Sequence, residues 1–144
     1  MKTFKFWQKW ILICGIIVLL MGLTFPINIW FNIELDYINK AFWKDGNVPT
    51  DIISFRNWLY GIYCALSVVF GMFIIFIAAV PFKRKEKWAW ICLAICYTTW
   101  FAIDTAYSLT YEVYSNASNN FILYLILILP LVFTGRYFFI KKTI

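Results

Sequence analysis

Four stretches without a charged side chain dominate this chain: residues 10–33, 57–82, 88–103 and 113–135. The hydrocarbon core of a bilayer is about 30 Å thick and an α-helix rises 1.5 Å per residue, so about 20 residues cross it. Three of the stretches reach that length outright, and 88–103 does so once it continues past Asp104 towards Tyr111. Lipid offers no partner to a bare backbone N–H or C=O, so single apolar segments of this length cross as helices. The expected fold is therefore all-α: a four-helix transmembrane bundle with spans near 10–29, 57–80, 88–110 and 119–138. Composition agrees. With 63% apolar, 22% aromatic and only 14% charged side chains, and a mean hydropathy of +0.76, the chain has too little polar surface for a soluble domain. One such bundle occupies all 144 residues, so a single integral membrane domain is expected.

The positions of the basic residues orient it. Lys2, Lys5, Lys9, Lys83, Arg84, Lys85, Lys87, Arg136, Lys141 and Lys142 flank the spans on one side, whereas Lys40, Lys44 and Arg56 lie on the other. The positive-inside rule then places both the N and C termini in the cytoplasm. The net charge of +6 follows from topology and attraction to anionic headgroups, and nucleic acid is not an expected partner. The expected partners are the lipid bilayer and a second copy or another membrane protein.

The basic lead and first apolar run have the charge and length of a signal peptide. Pro26, Ile27 and Asn28 follow in place of a small-x-small cleavage site, and Leu12 and Ile13 precede Cys14 where a lipoprotein site needs a small residue, so neither cleavage is expected. Cys14, Cys64, Cys92 and Cys96 all fall inside spans, which argues against a disulfide framework. Cys92 and Cys96 share a helix face, but no histidine or third ligand accompanies them; they read as packing residues, with no metal and no cofactor expected.

Between the first two spans, Phe31, Leu35, Ile38 and Phe42 recur at helical spacing with Asn32, Asp36, Asn39 and Lys40 opposite, and Asp45-Gly46 supplies a stop. This is a short amphipathic helix over about 30–43. It either lies in the headgroup layer, anchored by Trp30 and Trp43, or caps the helix ends. Asp51 or Thr50 is placed to cap the second span. Gly15 and Gly22 lie on one face of the first span, and Gly61, Cys64, Ser67 and Gly71 within one broad face of the second, where the lack of bulk allows close helix approach. Pro81 ends the second span, and PFKRKEK turns back so quickly that the second and third spans should be antiparallel neighbours. Pro130 should free the Ile126 carbonyl in the fourth span. Asn116-Ala117-Ser118 is an N-glycosylation sequon that in a bacterium reads as a turn.

The string over 81–108, with WLYGIYCAL before it and the proline-bearing last span after it, resembles a loose group of small bacterial four-span integral membrane proteins of unassigned function. The resemblance implies the same topology, and a multi-pass location in the bacterial inner membrane, and implies no reaction.

Asp104 is the one sharp chemical lead. It lies 16 residues from Trp88, about 24 Å up the third span and inside the outer part of the core. The same count along the other spans, with one turn of tolerance, brings Asn28, Tyr60, Tyr63, Asn119 and Asn120 to its level. Arg56 comes out about 12 Å higher. Tyr97, Trp100, Tyr107, Ser108 and Tyr111 lie near Asp104 on its own helix. The candidate ligand-binding set is therefore Asp104, Tyr60, Tyr63, Asn119, Asn120, Tyr107 and Arg56, around a polar pocket opening outwards. The other reading of Asp104 is structural, as a carboxylate that pins the bundle or reaches water at the span's end. If the loops fold that way, Glu34, Asp36 and Glu112 join it above the membrane to hold a divalent cation.

No histidine, no second membrane carboxylate at that depth and no nucleophile matched to a base is visible, so no catalytic residues are assigned and enzyme activity is not expected. The leading expectation is a non-enzymatic accessory or interaction component. The competing one is a small transporter, or a lipid- or small-molecule-binding membrane protein using the Asp104 pocket. The orientation is directly testable: a cysteine placed at Lys85 should react with an impermeant maleimide only after the cytoplasmic face is opened, and labelling in intact cells would invert the topology.

Overall fold

The computed structural model describes residues 2–24, 29–45 and 47–140. Pro26, Asn28, Gly46, Lys141 and Lys142, and the side chains of Trp30, Phe31, Asn32 and Glu34, lie outside the described residues. Among the described residues six helices follow one another: α1 (Lys2–Thr24), α2 (Ile29–Phe42), α3 (Thr50–Ala79), α4 (Lys87–Thr110), α5 (Tyr114–Thr134) and the single turn α6 (Arg136–Phe139). Four segments are long and apolar enough to cross a membrane: 3–24, 50–79, 87–110 and 114–139. At most 28% of the apolar window in each is buried inside the bundle. Side chains such as Phe76, Leu66 and Val132, more than 60% exposed, cover the outside, as suits a solvent of lipid tails. The protein is thus an all-α, four-helix integral membrane bundle. The helices overrun the apolar intervals because a helix that leaves the hydrocarbon keeps its internal hydrogen bonds in the headgroup layer.

The most extensive packing is between α1 and α3, which run antiparallel. A Cβ on Gly71 would lie 2.5 Å from the Leu19 nitrogen, and one on Gly22 only 2.7 Å from the Cys64 carbonyl oxygen. A methyl group at Gly15 would come within 2.9 Å of Ile75. The small-residue faces therefore serve contact within one chain. Gly61 is the exception, with nothing within 4 Å of its missing Cβ. Gln8 on α1 donates to the Ala78 carbonyl at 3.0 Å and fixes the register near the helix ends.

The second pair is α4 with α5, and α1 joins the pairs by packing on α5. Despite the short connection over 80–86, α3 and α4 barely touch. The expected neighbourhood of these spans is met only sparsely, as where the Phe70 and Tyr97 rings meet edge-on at 6.4 Å, because the glycine faces commit α3 to α1. At the core, Ile11, Ile74, Leu93, Tyr97 and Leu131 from four helices are buried.

The end carrying the basic residues is closed by aromatic rings. Phe4, Phe82 and Phe138 are buried there. The Phe4 ring stacks on Phe82 at 5.8 Å and meets Tyr137 edge-on at 5.3 Å. Lys85, in the left-handed region with φ 61, holds its ammonium 5.2 Å from the Phe4 ring and 5.5 Å from Tyr137.

At the opposite end α2 packs against α5, with Leu35 buried. Asn39, which periodicity puts on the polar face, is buried as well, because its side-chain oxygen accepts a 2.9 Å hydrogen bond from Arg56. α2 thus rests on the bundle. α3 begins one residue earlier than a Thr50 cap requires: Pro49 holds the cap position, and no side-chain cap bond forms.

Pro130 lies inside α5 and removes the N–H that Ile126 would receive. The Trp10 indole of α1 supplies the missing donor, 3.1 Å from the Ile126 oxygen. The Trp90 indole likewise donates to Leu131 at 2.9 Å. Replacing Trp10 with Phe should cost about 1 kcal/mol in the native background and much less beside Pro130→Ala, where the helix supplies its own donor. A double-mutant cycle of reversible unfolding in mixed micelles measures this; equal costs in both backgrounds would refute the pairing.

Candidate functional site

The polar cluster is assembled by the turn between α4 and α5. Val113 donates its N–H to the Ser108 carbonyl at 2.8 Å and Glu112 donates to Leu109 at 3.2 Å, closing a Schellman motif. The left-handed position that usually takes glycine is filled by Glu112, φ 59. A turn this tight folds the hairpin about Tyr111, so residues nearly equidistant from it meet. Thr98 pairs with Tyr124 through their hydroxyls at 3.2 Å, Phe101 faces Phe121 at 6.5 Å, and Asp104 meets Asn116.

Asn116 stands in the first turn of α5 and donates through Nδ2 to Asp104 Oδ1 at 2.9 Å and to Ser108 Oγ at 2.7 Å. The Ser108 hydroxyl in turn donates to the Asp104 carbonyl at 2.7 Å and lies 3.4 Å from Oδ1. An amide and a hydroxyl from two helices thus fix the carboxylate. A carboxylate has about four acceptor positions, so these donors on Oδ1 leave it with capacity to spare. Two more polar atoms lie in this part of α4 and α5: Thr105 Oγ1 and Asn120 Nδ2 are buried without a hydrogen-bond partner among the described residues.

Asp104 also stands at the end of a groove along α4, about 530 Å³ in volume and open to the outside. Its lining is Ile95, Cys96, Thr99, Trp100, Ile103 and Asp104, and the surface they present to it is almost all carbon. These side chains fall on the flank of α4 beside the face that packs on α5. The groove can therefore take an apolar group, with Asp104 marking its end.

The other anticipated residues are distributed differently. Asn120 is buried on α5, one turn beyond Asn116. Asn119 is exposed; Tyr60 is half-buried and Tyr63 49% exposed on α3, and each of the three makes an interaction of its own. Tyr107 is 65% exposed and Tyr111 57%, both on the outer surface, while Tyr97 is buried in the core two turns below Asp104. Arg56 is held by Asn39 and, at 3.4 Å, by Asn57, in keeping with its greater height. Asp36 and Glu112 are exposed, and among the described residues no group of three His, Cys, Asp or Glu side chains comes together.

Asn116 and Thr105 are the residues that depth counting missed. Asn116 is half-buried in a helix and bonded through the nitrogen a glycan would need, so this sequon is not presented as a loop. The signal that finds it is hairpin register, since folding the chain about Tyr111 brings the start of α5 level with the end of α4. Comparison with protein-family models, curated proteins and solved structures finds no match to this chain.

Asp104→Asn keeps an acceptor for Asn116 and should change stability by less than about 1 kcal/mol, whereas Asp104→Leu strands the Asn116 amide and should cost about 1–3 kcal/mol. Unfolding in mixed micelles separates the two; equal losses would mean that shape alone matters.

Proposed function

We propose that this is a non-enzymatic membrane protein whose work is binding within the bilayer, as an accessory or interaction component, with the α4 groove as its contact face. The observation that carries the reading is the open apolar groove along α4, its end marked by Asp104, which is held by Asn116. An open apolar recess on the flank of a span gains dispersion contacts when another apolar group fills it. The charge asymmetry of the sequence supports a cytoplasmic basic end, which sets the groove in the outer leaflet of a bacterial inner membrane.

Binding fits better than transport. The groove runs along the outer flank of α4 instead of through the bundle, and Phe4, Phe82 and Phe138 fill the basic end of the core. Self-association through glycine faces has little support, because Gly15, Gly22 and Gly71 are occupied by the α1–α3 contact.

Thr99, exposed and on the groove wall, allows the test. Native mass spectrometry of the protein released from nanodiscs should show a retained lipid, small molecule or protein partner, and Thr99→Trp should remove it with an unchanged melting temperature. A bare monomer, or the same adduct in both proteins, would defeat the proposal.

A further inference from the structure

We infer that the outer end of the bundle binds the head of a phosphatidylethanolamine lipid in a polar cavity between α2 and α3, with the phosphate at Arg56 and the ammonium at Asp36. This site is separate from the α4 groove. The cavity has a volume of about 530 Å³, opens outwards and presents a mostly polar surface. Asp36 and Asn39 stand one turn apart on α2, Ile53 and Arg56 one turn apart on α3, and the connection over 47–49 closes the side between them. The hydrogen bond from Arg56 to Asn39, 2.9 Å, ties the two walls together.

Three observations carry the inference. First, opposite charges share the cavity without neutralising each other. Arg56 uses two donors on the amide oxygens of Asn39 and Asn57, and its Nε is buried without an acceptor among the described residues. A guanidinium carries five donors in a fork that matches phosphate oxygens, so two amides leave it short of acceptors and of countercharge. Asp36, on the facing helix, is exposed and forms no ion pair among the described residues. Second, the start of α3 lies on the same wall as Arg56. Thr50 lines the cavity, Pro49 holds the cap position, and no side chain caps the first turn, whose free amide N–H groups favour an anion. Asp51, also in that turn, is exposed and does not line the cavity. The positive wall is thus α3 and the negative one α2. An anion alone would meet Asp36 and a cation alone would meet Arg56, whereas a zwitterion of phosphate and ammonium suits both.

Third, position favours a lipid over a soluble zwitterion. Arg56 lies in the second turn of a helix long and apolar enough to cross a membrane, so the cavity sits at the level of headgroups. Along α3 from Arg56 towards the bilayer centre, Leu59, Tyr63 and Leu66 follow at i+3, i+7 and i+10, all exposed. That stripe gives acyl chains an apolar track leading away from the head. Among lipid heads, ethanolamine carries a primary ammonium that donates to a carboxylate; choline has no N–H, and glycerol has no positive charge.

The test is native mass spectrometry of the intact chain, delipidated in a neutral detergent and titrated with dioleoyl phosphatidylethanolamine, phosphatidylcholine or phosphatidylglycerol. Wild-type protein should take one phosphatidylethanolamine per chain about fivefold more tightly than phosphatidylglycerol, the upper range for an ion pair partly open to water. Asp36→Asn should remove that preference, and Asp36→Lys should turn it towards phosphatidylglycerol. A reversed choice cannot come from loss of fold, and melting temperatures of both variants check this independently. Arg56→Gln, which still offers Asn39 a donor, should weaken all three lipids alike. No preference in the wild type, or the same preference in Asp36→Asn, would overturn the site. Equal binding of phosphatidylcholine and phosphatidylethanolamine by wild type would overturn the assignment of the primary ammonium. Thr99→Trp is the control for the α4 groove: binding that it abolishes belongs to the groove and overturns this site, whereas binding that it leaves unchanged supports it.

Discussion

The contact on which the bundle depends is the approach of α1 to α3 through glycine. In a solvent of lipid tails there is no hydrophobic gain from bringing two apolar helices together, so association must come from dispersion and hydrogen bonds at short range. Gly71 against the Leu19 backbone, and Gly22 against the Cys64 carbonyl, bring main chain to main chain where any side chain would hold the helices apart. This pairing determines what remains. With α3 committed to α1, α4 must find its partner in α5, and the α1–α5 contact is left to join the two pairs.

Backbone accounting explains that junction. A proline in a spanning helix leaves a carbonyl that water would satisfy in a soluble protein; here an indole from another helix does so. Trp10 and Trp90 both donate to carbonyls of α5 near Pro130, so a residue that weakens α5 also fastens it to α1 and α4. The two ends of the bundle then differ in kind. Stacked rings and a lysine close the basic end, while the other end gathers Asp104, Ser108, Asn116 and Asn120 between α4 and α5, and Arg56 with Asn39 under α2.

Much of this was legible in the residues alone, for a physical reason: bilayer thickness converts directly into segment length, so four spans and a short amphipathic helix could be read from where charges are missing. Helix pairing was less legible. The short turn over 80–86 suggested that its flanking spans lie together, yet complementarity of glycine faces outweighs proximity in sequence. The site was half legible. Asp104 stood out because a carboxylate in a span is expensive, but its partner was sought by counting depth along upright helices, which reached Asn119 and Asn120. Asn116 escaped because α5 starts at Tyr114, ahead of the apolar interval's core, and because its sequon made it look like a loop. Asn39 escaped for the related reason that amphipathic spacing cannot foresee a guanidinium arriving from another helix.

The ring contact of Phe4 with Tyr137 has a topological corollary. Segments far apart in the chain meet at one corner, with the ammonium of Lys85 set over both rings. The path of the polypeptide through the bilayer is therefore nearly a closed circuit, returning beside its starting point after four crossings. In such a circuit the break in connectivity is not what holds the assembly together: splicing those neighbouring segments and reopening the chain at the connection over 43–49 would permute the order of the helices while keeping every pairing described.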